Sequence, residues 1–286
     1  MAALSSTGRD PNRITLNDLI DRNNESWSVF PPRPEDYTRL FAPGSVVWVM
    51  MSGKPFAKAV VVPLDDASGA FQDRIRVKYN DGSFYHCRPQ RLRHIYGQQV
   101  APDVSLPQHR TQIVVTAETK NYRHLAQLLP CSGESALEIG SDLGSCTGVL
   151  QTAVGGDGTK GGAVGVDKSP SSVKESKRRF PHIPFHCIDV LAHPDTLSLL
   201  SIEELDLREI LSHSGVSSDM ASSGSASSAS SFDVVFVDIN GNRMLEAVVR
   251  CIHLVFEYMN PPPRLIVVKS TELTNALLLD EVHSIA

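Results

Sequence analysis

The sequence predicts an α/β protein in which a doubly wound, mainly parallel sheet follows a small antiparallel β-barrel. From residue 135 onward, short apolar runs alternate with segments of helical periodicity, as in a parallel sheet covered by helices. Between residues 41 and 96, shorter alternating segments are separated by turn signals such as Asn80-Asp81-Gly82. These changes predict a flexible N-terminal arm at 1–40, the barrel at 41–96, a linker at 97–113 and the α/β domain at 114–286.

Composition and charge exclude several classes of protein. A chain of 286 residues with 41% hydrophobic residues is long enough for two buried cores. Its net charge of −5 gives no chain-wide basic character, so any contact with nucleic acid depends on local patches. Five scattered cysteines without a C-x-x-C pair predict reduced thiols, no metal site and a cytoplasmic or nuclear location. No apolar run approaches membrane-spanning length, so no membrane partner is expected.

Residues 135–148, Ser-Ala-Leu-Glu-Ile-Gly-Ser-Asp-Leu-Gly-Ser-Cys-Thr-Gly, predict a strand, a glycine loop and the start of a helix. Gly140 and Gly144 lack the third glycine of the dinucleotide fingerprint, and no Lys-Ser/Thr pair follows them as in a P-loop. The order acidic-x-Gly-x-x-x-Gly, beginning at Glu138, resembles motif I of the class I S-adenosylmethionine (SAM) methyltransferases. Glycine-rich turns of this kind also occur in α/β units where they have only a structural role.

The next predicted strands extend this resemblance from about residue 116 to the C-terminus. Ala163–Val166 is followed by Asp167, and Phe185–Ile188 by Asp189. The resemblance implies a Rossmann-like fold, Asp167 accepting hydrogen bonds from the ribose hydroxyls of SAM, and Asp189 meeting the adenine amino group. Asp167 could instead cap the helix that follows it. The implied cofactor-binding residues are Glu138, Gly140, Ser141, Asp142, Gly144, Asp167, Lys168, Asp189, Val190 and Asp238.

Candidate catalytic residues follow from the fourth and fifth predicted strands, which end at Asp238 and Lys269. The Asn/Asp-Pro-Pro-Tyr signature of methyltransferases that modify adenine or cytosine amino groups is missing. Lys120, Asp238 and Lys269 match in order the first three members of the Lys-Asp-Lys-Glu tetrad of RNA ribose 2′-O-methyltransferases. A lysine held by a carboxylate can accept a proton from an alcohol. Alternatively, Lys120 is a surface residue and Lys269 extends to solvent from a strand end.

Two segments of the α/β domain depart from the family pattern. Residues 212–231 consist mainly of Ser, Gly and Ala and predict a disordered insertion. The chain ends in the helix after the fifth strand, so the family's C-terminal antiparallel hairpin is missing. That leaves a sheet edge to be covered and makes the predicted activity depend on how the pocket is completed.

The segment from about residue 41 to residue 96 resembles Tudor and related SH3-like barrels, through Gly-Ser-Val-Val-Trp-Val at 44–49 and Arg-Ile-Arg-Val-Lys-Tyr at 74–79. The resemblance implies an aromatic cage for a methylated Lys or Arg tail. The candidate cage walls are Trp48, Phe56, Tyr79, Phe84 and Tyr85. The same aromatic side chains could simply fill a small core. A basic edge that would suit a phosphate backbone, or form a solvated face, comprises Arg74, Arg76, Lys78, Arg88, Arg91 and Arg93.

The sequence therefore predicts a SAM-dependent methyltransferase whose acceptor is RNA. The barrel would position the polymer together with a basic helix containing Lys168, Lys174, Lys177, Arg178 and Arg179. One alternative is a methyltransferase that acts on protein or a small molecule. Another is a non-enzymatic reader of methylated tails whose Rossmann-like unit binds SAM without turnover.

Overall fold

A computed structural model describes residues 15–20, 26–34, 37–50, 57–65, 69–99, 111–155, 161–200, 232–239 and 244–283. The strands are β1 (Ser26–Val29), β2 (Ser45–Val49), β3 (Ala57–Val61), β4 (Ile75–Tyr79), β5 (Phe84–Cys87), β6 (Leu92–Gln99), β7 (Gln112–Thr116), β8 (Ser135–Ile139), β9 (Gly162–Asp167), β10 (Phe185–Cys187), β11 (Val234–Val237) and β12 (Leu265–Lys269). The α-helices are α1 (Leu16–Ile20), α2 (Tyr37–Leu40), α3 (Thr119–Leu128), α4 (Ser145–Val154), α5 (Pro170–Arg179), α6 (Leu245–Tyr258) and α7 (Thr271–His283). Short 3-10 helices cover Pro89–Arg91 and Pro194–Leu199.

The large sheet has seven strands in the order β1-β7-β12-β11-β8-β9-β10, and every neighbouring pair is parallel. From β8 the chain builds outward to β9 and β10 on one side, then returns to add β11 and β12 on the other. This reversal next to β8 is the topological switch point of a doubly wound sheet, where the carboxyl ends of the strands leave a crevice. The predicted α/β class is confirmed.

The N-terminal region continues the sheet beyond β12, which differs from the predicted domain organisation. β7 pairs with β12 from Gln112 to Thr116, although the linker was expected to extend through residue 113. β1 pairs with β7, so Ser26–Val29 of the predicted flexible arm is a sheet strand. These two parallel strands extend the sheet beyond β12, at the edge that was expected to need covering. The predicted insertion at 212–231 lies outside the described residues.

The second sheet is antiparallel, with the order β5-β4-β3-β2-β6. It curls into half a barrel whose two outer strands are β5 and β6. The predicted small antiparallel β unit is thus present, as a curled sheet. The assignment to the Tudor or SH3-like class stays a prediction.

Side-chain alternation in the large sheet produces two apolar layers. Val235 and Val237 of β11 face the layer that contains α6, whereas Val234 and Phe236 face α3 and α4. The second layer continues into the small sheet through residues such as Val47. Trp48 on β2 donates its indole N–H to the Leu128 carbonyl at the end of α3, over 2.9 Å. The two sheets are therefore joined by a shared core and by this hydrogen bond. None of the described helices combines the length and apolar character required to cross a membrane.

Candidate functional site

Strand register brings the predicted strand tips together at one edge. Ile139 at the end of β8 is the Cα partner of Val166 in β9 and of Val237 in β11. One residue further along, Gly140 therefore lies between Asp167 and Asp238. Lys269 follows on β12, next to the position of Asp238. This row lies at the carboxyl end of the sheet, beside the topological switch point.

The loop after β8 depends on Gly140. Its φ of +84° lies in the left-handed region, and a Cβ at this position would overlap the carbonyl oxygen of Asp238. The amides of Gly140 and Ser141 both donate to the Val166 carbonyl, at 2.8 and 3.0 Å. The glycine therefore allows the loop to fold closely against the ends of both neighbouring strands.

Gly144 closes the same loop and precedes α4. Its φ is +74°, and a Cβ would lie 2.7 Å from Cζ of Phe185. Between the two glycines, Asp142 has a φ of +45°, the one positive value at a non-glycine residue in the described ranges. Its strained conformation is held by two hydrogen bonds: its amide donates to Asp167 Oδ2 (3.0 Å) and its carbonyl accepts from Ser176 Oγ (2.7 Å).

Asp167 connects the loop to α5 without capping that helix. Its Oδ2 accepts the Asp142 amide, and its Oδ1 accepts the Ser169 amide at 2.8 Å. The N-cap is Ser169, whose side chain accepts from the Ser172 amide. An ionised carboxylate offers about four acceptor positions. Two backbone bonds hold Asp167 in place and leave acceptor positions on its carboxylate, which lies in the wall of the cleft described below.

Asp189 lies two residues beyond the end of β10 at Cys187, in the loop that continues this edge. Its Oδ1 accepts from the Leu191 amide at 3.2 Å, and the next residue, Val190, is buried. The carboxylate is thus oriented by its own turn.

These residues line one cleft of about 220 Å³. The predicted residues in its wall are Gly140, Asp142, Asp167, Lys168, Asp189, Val190 and Asp238. Sequence analysis missed the apolar and hydroxyl side chains of the wall, which are Ile139, Val166, Ser169, Ser172, Ile188, Leu191 and Ile239. Most of them directly flank a predicted acidic residue, and this adjacency is the sequence signal that could have identified them. The wall carries four carboxylates and one ammonium group, so its field favours a cation.

Asp238 and Lys269 form an ion pair beside this cleft. Lys269 Nζ donates to Asp238 Oδ2 over 2.8 Å, and the two side chains are 20% and 15% exposed. Asp238 Oδ1 is buried without a hydrogen-bond partner, which is costly for a carboxylate oxygen. A ligand group able to donate to this oxygen would be stabilised there. Two of the three predicted catalytic residues are thus in contact.

Lys120, the third predicted catalytic residue, does not belong to the wall of the cleft. It is exposed on the first turn of α3. In the described part of the chain it forms no hydrogen bond or ion pair with Asp238 or Lys269. The arrangement agrees better with the alternative that Lys120 is a surface residue.

Glu138, Ser141 and Gly144 do not belong to the described wall of the cleft. Glu138 is only 2% exposed and lies beneath it, accepting from Thr147 Oγ1 at 2.5 Å and from the Tyr122 hydroxyl at 3.4 Å. Burial raises the pKa of Glu138 from 4.5 to about 7. Burial also raises the pKa of Tyr122, so its hydroxyl remains a donor. Glu138 therefore joins β8 to α3 and α4 through its side-chain hydrogen bonds.

The raised pKa of Glu138 predicts a pH-dependent stability. The folded protein binds more protons than the unfolded chain between pH 4.5 and about 7, so this contribution is present below pH 4.5 and is lost as pH rises through 7. Glu138→Gln keeps an acceptor for Thr147 but cannot ionise. Between pH 4 and pH 8, wild type should lose about 3 kcal/mol of unfolding free energy relative to the variant. Urea unfolding at several pH values measures this difference, and parallel pH profiles would contradict it.

The predicted cage residues of the small sheet are divided between two places. Trp48 packs towards α3 through its hydrogen bond to Leu128, and Phe56 lies outside the described residues. Tyr79, Phe84 and Tyr85 line one depression. The Arg76 guanidinium already lies over the Phe84 ring, at 4.4 Å from its centroid.

The fold and the cleft define a doubly wound α/β protein with a cleft at the switch point of its sheet. The chain matches no protein-family profile and no curated protein. It is similar in structure to fibrillarin from Aeropyrum pernix, solved with natively bound SAM, at 12% identity and a TM-score of 0.29, covering 64% of this chain and 68% of that one. It is also similar to a probable oxidoreductase from Mycobacterium abscessus, at 11% identity and a TM-score of 0.26, covering 85% of this chain and 74% of that one.

Proposed function

We propose that the protein is a SAM-dependent methyltransferase that modifies RNA. The observation that carries the proposal is the convergence of the Gly140 loop, Asp167, Asp189 and Asp238 on one cleft. SAM requires acceptors for a ribose diol and an adenine amino group, an apolar surface for the ring, and compensation for a positive sulfonium. Each of these requirements has a counterpart in the cleft.

The residues would hold the cofactor in distinct ways. Asp167, fixed by two backbone amides, has acceptor capacity left for a diol. Asp189 would accept from an adenine amino group, between the apolar side chains of Ile188 and Val190. SAM supplies an activated methyl group that a nucleophile displaces directly, so the protein has mainly to align the reacting groups.

Charge distinguishes SAM from a dinucleotide. In dinucleotide-binding sheets the pyrophosphate lies at the glycine loop. Here that loop carries Asp142, close to Asp167, and the wall as a whole has more carboxylates than cations. A pyrophosphate would meet repulsion at this position, whereas a sulfonium would be attracted.

The Asp238–Lys269 pair would act on the methyl acceptor. Asp238 lies in the cleft wall, and Lys269 on the neighbouring strand donates a hydrogen bond to its Oδ2. In the proposed reaction Lys269 accepts the proton of an acceptor hydroxyl, and Asp238 orients the lysine side chain. This role favours a ribose hydroxyl of RNA as the acceptor.

Transfer of tritium from methyl-labelled SAM tests the proposal. The full chain should label total RNA, and nuclease digestion should recover the label on ribose. The Asp167→Ala variant, which lacks the diol acceptor, serves as the negative control. Label in protein alone would replace RNA as the acceptor. Label in neither polymer, with SAM still bound, would favour the non-enzymatic reader.

A further inference from the structure

The outer face of the β4–β5 hairpin carries aromatic and basic side chains that the proposed reaction does not use. Arg76 is the Cα partner of His86, and Lys78 is the partner of Phe84, so these four side chains share one face. Phe71, in the loop before β4, stacks on His86. We call these five residues the hairpin platform.

The platform exposes aromatic surface. Phe71 is 41% and Phe84 is 51% exposed. Among the described residues, the exposed large aromatic side chains are these two and Tyr85, which all belong to the hairpin or its preceding loop. A concentration of exposed aromatic rings on one small sheet indicates a binding surface.

The rings and cations are arranged as stacking surfaces. Phe71 and His86 lie parallel, with centroids 4.2 Å apart and planes inclined by 4°. The Arg76 guanidinium covers one side of the Phe84 ring at 4.4 Å, and Lys78 Nζ lies 5.7 Å from the same centroid. Buried Nε of Arg76 has no hydrogen-bond partner, and its carboxylate contact, Asp65, is 3.9 Å away. Both cations therefore lie near the Phe84 ring, and the carboxylate paired with Arg76 is at the long end of ion-pair distance.

The hairpin and its flanks together are basic. Arg76 and Lys78 of the platform and Arg74, Arg88 and Arg91 beside it give five cations, against three acidic residues nearby, Asp65, Asp73 and Asp81. Such a local excess of cations, in a chain with net charge −5, complements a polyanion.

We infer that the hairpin platform binds single-stranded RNA. Unpaired bases would stack on Phe71 and Phe84, and Arg76 and Lys78 would contact the phosphates. A duplex offers no free base faces, so single strands are preferred. The inference deepens the proposed function and rests on it for the choice of RNA.

Two alternative interpretations, a methylated-tail cage on the platform and an RNA site on α5, agree less well with the contacts. A methylated Lys or Arg tail is itself a cation, and the cations of Arg76 and Lys78 already lie against the Phe84 ring, so like charge disfavours a cage there. The basic helix α5 would be another polymer site, but Arg178 is paired with Glu175 through two bonds, and Arg179 donates to the Leu143 carbonyl. Neither alternative accounts for the exposed Phe71.

Fluorescence anisotropy with a labelled 20-nucleotide oligo(U), without SAM, tests the inference. The Phe71→Ala/Phe84→Ala double variant removes two stacking rings and should bind at least about 30-fold more weakly than wild type. Lys78→Ala should weaken binding and lower the slope of log affinity against log salt by about one. Wild type should bind a blunt duplex of equal length less tightly than the single strand.

Controls separate this result from folding and from methyl transfer. Leu199→Ala removes an exposed apolar side chain outside the platform, and Lys174→Ala removes a cation on α5; both should bind like wild type. Phe84→Leu keeps apolar volume but removes the ring, so this folded single variant should also bind RNA more weakly than wild type. Unchanged binding by the double variant, equal affinity for duplex, or Phe84-dependent binding of a trimethyllysine peptide in place of RNA would overturn the inference. Because no turnover is measured, these outcomes are independent of the labelling experiment.

Discussion

Replacing Lys269 with alanine is expected to slow methyl transfer by about 10²- to 10⁴-fold without weakening SAM binding. Lys269 Nζ is bonded to Asp238 Oδ2 at 2.8 Å, and the lysine itself is not part of the cleft wall. The substitution removes the proposed proton acceptor and the hydrogen bond that it donates to Asp238. It also removes a cation, so a positively charged cofactor is not disfavoured. Single-turnover transfer of labelled methyl groups and calorimetry with SAM measure the two effects separately.

Lys120→Ala is the matched control for this experiment. Lys120 is exposed on α3, and its loss should leave transfer near the wild-type rate. Lys269→Met retains the apolar stem of the side chain and distinguishes lost chemistry from lost packing. Retained turnover in Lys269→Ala would remove the Asp238–Lys269 pair from the mechanism. A large loss in Lys120→Ala would restore Lys120 to the catalytic set.

Gly140→Ala is expected to be the most destabilising single substitution at the site. A left-handed φ costs an L-residue roughly 1–2 kcal/mol. At Gly140 the new Cβ would also overlap the Asp238 carbonyl oxygen, a backbone atom that cannot move without separating β8 from β11. The total loss should therefore exceed about 3 kcal/mol of unfolding free energy. Urea unfolding measures it, and SAM binding should weaken with it because Asp238 is displaced.

Gly82→Ala provides the control for this substitution. Gly82 has nearly the same φ, +85°, but a Cβ there would have no neighbour within 4 Å. Its cost should be that of the backbone conformation alone, about 1–2 kcal/mol. The difference between the two variants isolates the overlap with Asp238. Equal losses would contradict the close approach of the loop and β11.

The local sequence pattern predicts the central strands of the large sheet but does not predict the strands at its edge. β11 is an uninterrupted apolar run, which is typical of a parallel strand covered on both faces. β1, Ser-Trp-Ser-Val, has only four residues and becomes a strand through its pairing with β7. β7 contributes the short run Ile113, Val114 and Val115, whose partner β12 lies about 150 residues away in the chain. Such non-local pairing leaves no periodic signal in so short a segment.

The site was predictable where a side chain's role follows from its position on a strand. Asp167 and Asp238 come at or just after strand ends, and parallel strands bring such ends to one edge. Glu138 lies inside β8, where its neighbours Tyr122 and Thr147 come from two helices. Lys120 precedes Asp238 and Lys269 in the chain, as the tetrad order requires. Its distance from Lys269 in the fold depends on where α3 begins. Motif order alone therefore grouped Lys120 with Asp238 and Lys269, to which it forms no hydrogen bond or ion pair in the residues that the structure describes.

Titration of the full chain with SAM in a calorimeter tests the central claim most directly, because the cleft either holds the cofactor through Asp167 or does not. We expect saturable one-to-one binding by wild type, at least about tenfold weaker binding by Asp167→Ala, and unchanged binding by Asp65→Ala in the segment after β3. NAD under the same conditions should give no heat of binding. Absence of SAM binding by wild type, or equal affinity in Asp167→Ala, would contradict the account.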